Sequence, residues 1–198
     1  MNKLPVYLFL ALLVGVAIGC SSDNKETESD IWSKYEDWRK ANDEWLAKES
    51  QRTNPDGTPY YQRLSASWDP NAYVLIRYCN DTTLTRGNLR PFSTSWVDVK
   101  YRGRLYNDAV FDSSYTQTQH GDSIARFQLT SAVTGWMMGL TDMHVGDSVE
   151  LVIPYEQGFY AQNNNGPIPP YSVLRFNARL VDIPYWEIQN PDANTNKK

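Results

Sequence analysis

Short stretches in which apolar and polar residues alternate fill the second half of the chain. From Val97 to Leu105, apolar residues and one glycine alternate with Asp98 and three basic residues. This period of two predicts a strand with one buried and one solvated face. Similar signals predict further strands over residues 73–78, 109–111, 126–129, 148–153 and 173–183. The sequence therefore predicts an antiparallel sheet, with a long polar loop over residues 115–123.

One segment between these strands has a helical period. Its apolar positions follow the i, i+3, i+4, i+7 spacing: Val133, Trp136, Met137, Leu140 and Met143. We predict one short helix laid across the strands, which is an α+β arrangement. Gly135 and Gly139 flank Trp136, and we expect them to leave the indole open to a ligand. Plain core packing is the alternative for Trp136.

A longer helical stripe lies nearer the N-terminus. Between Asp30 and Lys48 the apolar positions recur at helical spacing: Ile31, Tyr35, Trp38, Ala41, Trp45 and Leu46. Ser29 is the predicted N-cap. This face docks either on the protein's own globular part or on a partner or membrane surface. We favour the first, because the polar face mixes both signs of charge. Residues 60–70 are ambiguous, and residues 81–95 are predicted to be an irregular connection.

The first 20 residues form a targeting signal. Lys3 precedes an apolar run over residues 4–19, which is too short for a typical membrane span and typical of a signal peptide. Residues 17–20 (Ala-Ile-Gly-Cys) resemble the cleavage box of bacterial lipoproteins, in which the cysteine is lipidated. We therefore predict lipidation of Cys20, with palmitate among its acyl chains, and a polar tether over residues 20–29. An ordinary signal peptide with an incidental cysteine is the alternative.

Composition and charge narrow the possible functions. The chain has 198 residues, of which 41% are hydrophobic, enough for one domain with extensions. A net charge of −4 gives no electrostatic footprint for nucleic acid. His120 and His144 have no partner at metal-ligand spacing, so we expect no metal and no cofactor. With Cys20 lipidated, Cys79 is predicted to be a buried free thiol.

Several motifs in the second half resemble, in order, those of the FKBP-type peptidyl-prolyl isomerases. They are Lys100-Tyr101-Arg102-Gly103, Val110-Phe111-Asp112-Ser113-Ser114, Gly135-Trp136 with Gly139-Leu140, Met143-His144-Val145-Gly146-Asp147, Ile153-Pro154, and Ile168-Pro169-Pro170 with Leu174 and Phe176. The resemblance implies a curved antiparallel sheet wrapped around the short helix. The N-terminal amphipathic helix predicted from its apolar spacing would be an extension of this domain. The resemblance also implies a pocket for a prolyl peptide between sheet and helix.

The resemblance assigns a role to each pocket residue. Trp136 would be the floor, and four residues would be walls: Tyr101, Phe111, Val133 and Phe176. Ile168 would offer a backbone amide from the loop over the pocket. Asp112 would be a polar group at the rim, although capping of the following turn is an equal alternative.

Two positions depart from the family pattern. Ala125 stands where the family usually has a pocket aromatic residue, two positions before Phe127. Phe159 stands where the family usually has a tyrosine that donates to the ligand carbonyl, and a shift of one residue would give that role to Tyr160. Both departures bear on efficiency rather than on the fold.

These observations predict a peptidyl-prolyl isomerase that acts on proline-containing polypeptides of the bacterial cell envelope. The lipid anchor would hold it to a membrane, for which we expect the outer membrane, on either its periplasmic or its surface side. The alternatives are a weakly catalytic FKBP-like binding module and a purely structural lipoprotein. The predicted parts are a signal peptide (1–19), a tether (20–29), a helical and irregular extension with one strand (30–95), the isomerase domain (96–184) and a tail (185–198).

Overall fold

A computed structural model describes residues 27–162 and 166–185. The predicted signal peptide, Cys20, most of the tether and nearly all of the predicted tail lie outside these ranges. Within them, no helix combines the length and the apolar character that a membrane crossing requires.

One antiparallel sheet of seven strands organises the described chain. The strands are β1 (Gln62–Ser65), β2 (Tyr73–Tyr78), β3 (Trp96–Arg104), β4 (Val110–Ser113), β5 (Ala125–Gln128), β6 (Ser148–Ile153) and β7 (Leu174–Asp182). Their order is β1-β2-β6-β7-β3-β4, and β5 pairs with β3. The predicted antiparallel sheet is confirmed. β1 was not predicted, because it is an edge strand with only Leu64 as an apolar residue.

The predicted short helix is also confirmed. Helix α3 (Thr134–Asp142) packs against β2 and β6. Its buried residues join a core cluster with side chains of β2, β3, β6 and β7. Leu140 of α3, Ile76 of β2 and Leu180 of β7 are all fully buried in this cluster.

The N-terminal segment forms two helices, where the sequence pattern predicts one. Helix α1 (Glu28–Lys34) and helix α2 (Glu36–Ser50) are separated at Tyr35, whose backbone lies at φ −104° and ψ 22°. The N-cap of α1 is Thr27, not the predicted Ser29. Thr27 accepts a hydrogen bond from the Asp30 amide, and the Asp30 carboxylate accepts one from the Thr27 amide. This reciprocal capping box satisfies two amides that the start of a helix leaves free.

Helix α2 covers the other face of the sheet. Val74 and Ile76 of β2 belong to the α3 cluster, whereas Leu75 between them packs with Leu46 of α2. Successive side chains of a strand point to opposite faces, so α2 and α3 lie on opposite sides of β2. The expectation that the N-terminal stripe docks on the protein's own globular part is confirmed.

Two side-chain environments differ from expectation. Asp98 was predicted on the solvated face of its strand, but it is 4% exposed and pairs with Arg126 through two contacts of 2.7 Å. The pair forms because the register places Asp98 opposite Arg126. Cys79 is free, as predicted, but exposed rather than buried, because it follows the last residue of β2.

Candidate functional site

Aromatic rings from three strands meet the Trp136 indole of α3, and a ring from a fourth strand extends the group. The ring centroids of Phe176, Tyr101 and Phe127 lie 4.7, 5.3 and 5.7 Å from that of Trp136, each at a steep angle. Phe111 extends the group, 5.5 Å from Phe176. Edge-to-face pairs at these distances are favourable beyond the area that they bury. We call these five residues the Trp136 cluster.

The strands position this cluster by alternation and by one glycine. Tyr101 of β3 and Phe176 of β7 lie on the buried face of their strands, 9% and 6% exposed. Gly103 lies beside them on β3. A Cβ atom there would stand 2.7 Å from Phe111 and 2.8 Å from Phe176, closer than real Cβ contacts come. The glycine therefore lets both rings lie over the strand.

Gly135 and Gly139 do not have the role that we predicted for them. They face β6 rather than the open side of the indole. A Cβ at Gly135 would collide with the Ile153 side chain, and one at Gly139 would lie 2.7 Å from Leu151. The glycines bring the helix close to the sheet, and Trp136 is only 6% exposed. The partly buried members of the cluster are Phe111 and Phe127.

The polar group of the site is a hydrogen-bonded pair. The Tyr101 hydroxyl donates to Asp112 Oδ2 at 2.6 Å, and Asp112 Oδ1 accepts from the Ser113 amide at 2.7 Å. Burial, together with the Asp112 charge and hydrogen bond, raises the pKa of Tyr101. Tyr101 is therefore a neutral donor at neutral pH. Asp112 therefore contacts both a cluster residue and the backbone that follows it.

Three other predicted site residues lie at the same core. Val133, Phe159 and Ile168 are partly buried and pack against the cluster of buried residues that contains Trp136. Ala125 is 6% exposed and belongs to that core. Phe127 was used in the sequence only as a reference for Ala125. The strand alternation that places both side chains on one face could have identified it.

The structure does not bring Tyr160 to the Trp136 cluster. Its ring lies with those of Tyr155 and Tyr171, 6.1 and 5.8 Å away, and it is 45% exposed. A hydrogen bond with Glu28 of α1 raises its pKa. The Tyr160 side chain therefore faces helix α1. It does not place its hydroxyl beside Phe159 at the core.

A surface cleft of about 600 Å³ is lined by Leu89, Arg90, Phe92 and Thr141, away from the aromatic cluster. Over residues 27–162 and 166–185, no three His, Cys, Asp or Glu side chains are grouped so that they could hold a metal ion.

Comparison with known proteins supports the resemblance found in the sequence. The family model of the FKBP-type peptidyl-prolyl cis-trans isomerases matches residues 87–181. The FKBP-type 22 kDa peptidyl-prolyl cis-trans isomerase of Escherichia coli is 37% identical over 93 residues, which are 47% of this chain and 43% of the relative. The peptidyl-prolyl cis-trans isomerase Mip of Coxiella burnetii is 38% identical over 87 residues, 44% of this chain and 36% of the relative.

Solved structures show the same fold. A peptidyl-prolyl cis-trans isomerase of Pseudomonas syringae pv. tomato aligns with a TM-score of 0.58 and 26% identity, over 75% of this chain and 95% of that one. FkpA of Escherichia coli aligns with a TM-score of 0.59 and 23% identity, over 79% and 63% of the two chains. The match to the two curated relatives above spans less than half of their own length.

Proposed function

We propose, on the premise that residues 87–181 carry an FKBP-type isomerase fold, that this chain catalyses cis-trans isomerisation of Xaa-Pro bonds at the Trp136 cluster. The observation that carries the proposal is the grouping of Tyr101, Phe127 and Phe176 around Trp136, with Phe111 against Phe176. The partly buried rings of Phe111 and Phe127 would offer an apolar surface to a proline ring, backed by the buried rings of the cluster.

The chemistry asks little of the side chains. Conjugation of the amide sets a barrier of about 18–20 kcal/mol to rotation. In the twisted state the carbonyl is less polar, so that a water-poor aromatic surface favours this state over the planar ones. No bond to a nucleophile or metal forms in this mechanism. Asp112, which accepts from Tyr101, holds the hydroxyl in place rather than transferring a proton.

The substrates and location are part of the proposal. We infer that Cys20 carries a lipid anchor and that the chain acts on proline-containing polypeptides of the bacterial envelope, with the outer membrane as its place. The support is the apolar run over residues 4–19, which ends at Cys20, and the polar residues that follow. Loss of membrane association on Cys20→Ser would support this inference, and its retention would oppose it.

A peptide assay with a matched pair of variants tests the catalytic proposal. The soluble form that lacks residues 1–20 should accelerate isomerisation of a short Xaa-Pro peptide. Trp136→Leu should lose that acceleration, provided that its circular dichroism remains native. Met137→Leu is the control, because Met137 lies on the same helix and lines a second cleft with Leu64 and Trp68. Equal loss in both variants would mean that the effect is general damage to α3.

A binding module without catalysis is the second candidate. Ala125 and Phe159 favour it, because the core beside Trp136 has a small residue at one position and no hydroxyl at the other. Restoring these groups with Ala125→Phe and Phe159→Tyr distinguishes the two. A large rise from a barely measurable rate would indicate a site that mainly binds. A wild type that already accelerates isomerisation, and gains little rate from the two substitutions, would indicate an isomerase.

A further inference from the structure

The segment that carries Ile168 is tied to the N-terminal helices. We call residues 168–173 the rim segment. Ile168 at its start packs against the core that contains Trp136, while Ser172 and Val173 at its end contact α2. We propose that Trp38 and Asn42 of α2 are positioning residues, which hold the rim segment at the site. This inference rests on the proposed isomerase function and adds residues outside the region that matches the family.

The first tie is a relay of two hydrogen bonds. The Trp38 indole Nε1 donates to Ser172 Oγ at 3.0 Å, and Ser172 Oγ donates to the Pro169 carbonyl at 2.6 Å. Pro169 is the neighbour of Ile168. The indole also packs against the core cluster of Trp136 and meets the Tyr106 ring at 5.0 Å. The relay therefore joins the Trp38 indole, which is held by packing, to the backbone beside Ile168, whose amide is the predicted donor at the site.

The second tie is a buried amide side chain. Asn42 is fully buried; its Oδ1 accepts from the Val173 amide at 2.8 Å, and its Nδ2 donates to the Trp38 carbonyl at 2.8 Å. An asparagine inside a helix is costly to bury unless its polar atoms are paired. Here both atoms are paired, and one partner lies 131 positions away in the chain. Asn42 thus joins the end of the rim segment to the carbonyl of Trp38.

The conformation of the rim segment explains why it needs these ties. Tyr171 has φ 59°, in the left-handed region that non-glycine residues seldom adopt. Such a conformation persists where surrounding contacts determine it. The Tyr171 ring meets Trp32 of α1 at 5.1 Å, and the Arg39 guanidinium of α2 stacks on the same Trp32 ring at 3.6 Å. Helix α1 therefore contacts the strained residue directly, and α2 supports that contact through Arg39.

A double-mutant cycle on the relay tests the proposal. Trp38→Phe keeps an aromatic ring but removes the donor, and Ser172→Ala removes the acceptor. We expect Trp38→Phe to speed hydrogen exchange of the Ile168 and Tyr171 amides about two- to tenfold, the range that loss of one net hydrogen bond allows. The KM for an Xaa-Pro peptide should rise about twofold or more with kcat little changed, since the competent fraction falls.

The control is Trp45→Phe on the same helix. Trp45 packs with Leu46 and Leu75 on the opposite face of the sheet and meets the Arg175 guanidinium at 5.0 Å. Val173, the last residue of the rim segment, lies in the same cluster, so the exchange comparison uses residues 168–171. The exchange rates of Trp45→Phe at residues 168–171 and its KM should match those of the wild type. In the Ser172→Ala background, Trp38→Phe should add no further rise in KM, because the bond that Trp38→Phe removes is already absent there.

The outcomes separate the two proposals. In an active enzyme, two results would overturn the positioning role. One is a double mutant in which the rises in KM are additive. The other is a Trp38→Phe variant with wild-type KM and wild-type exchange at Ile168. Faster exchange with an unchanged KM would also overturn it, since the tie would then serve only the fold. A wild type that does not accelerate isomerisation would instead overturn the proposed function, whatever the exchange shows.

Discussion

The close approach of α3 to β6 predicts a large effect from one methyl group. Gly135 is buried at the start of α3, and a Cβ there would collide with Ile153 Cγ2 and lie 3.0 Å from its Cγ1. Ile153 is fully buried and β-branched, so its side chain has one strongly restricted χ1 and no space to turn into. Gly135→Ala must therefore push the helix away from the sheet.

The size of the effect follows from two opposing terms. Overpacking a core costs about 1–3 kcal/mol. Alanine is the better helix former by up to about 1 kcal/mol, which offsets part of this cost. We expect the free energy of unfolding to fall by about 1–2 kcal/mol. With an m-value in urea of about 2 kcal/mol/M, the midpoint should fall by roughly 0.5–1 M.

Urea unfolding with two companion variants checks the reasoning. Gly87→Ala is the control, because a Cβ there meets nothing within 4 Å, and it should stay within about 0.5 kcal/mol of the wild type. Ile153→Ala alone should cost about 2–5 kcal/mol as a cavity. Combined with Gly135→Ala, it should cost less than the sum, because the new methyl occupies vacated space. A Gly135→Ala variant as stable as the wild type would refute the close packing.

Three further predictions concern single groups. Tyr171→Phe should raise the free energy of unfolding by about 1 kcal/mol, because the buried hydroxyl has no hydrogen-bond partner among the described residues; a loss of stability would show that the hydroxyl is paired. Burial raises the pKa of Tyr101, so the unfolded chain loses the hydroxyl proton at a lower pH than the folded chain does. Urea midpoints of the wild type should therefore fall as pH rises above about 10, and those of Tyr101→Phe should fall less steeply. Equal slopes would contradict that assignment. In a Cys20→Ser variant, exposed Cys79 should react with a thiol reagent without denaturant. The reaction should be slower than that of a small-molecule thiol, because partial burial raises the pKa of Cys79. Absence of labelling would support the buried thiol that the sequence predicted.

Local periodicity predicted the elements of the fold well. Alternation placed β3 and β6, and the spacing around Trp136 placed α3, because each pattern reports a buried face within one element. The family motifs also named most of the Trp136 cluster. Phe127 was not predicted as a site residue, because the family pattern used it only as the reference position for Ala125.

Contacts between distant segments could not be predicted from the same patterns. The burial of Asp98 depends on Arg126 in a neighbouring strand, and the burial of Asn42 depends on the Val173 amide across the fold. The break at Tyr35 has no glycine or proline to mark it. The glycines beside Trp136 were misinterpreted because only the packed structure shows that they face Ile153 and Leu151.

Exchange spectroscopy of an Xaa-Pro peptide by NMR tests the central claim most directly, because one sample reports both binding and turnover. With catalytic amounts of the soluble form, cross-peaks between the cis and trans proline signals should appear at mixing times too short for the uncatalysed reaction. Trp136→Leu should abolish them, and Met137→Leu should not. Peptide signals that shift on binding without any exchange cross-peaks would contradict the account and leave a binding module in its place.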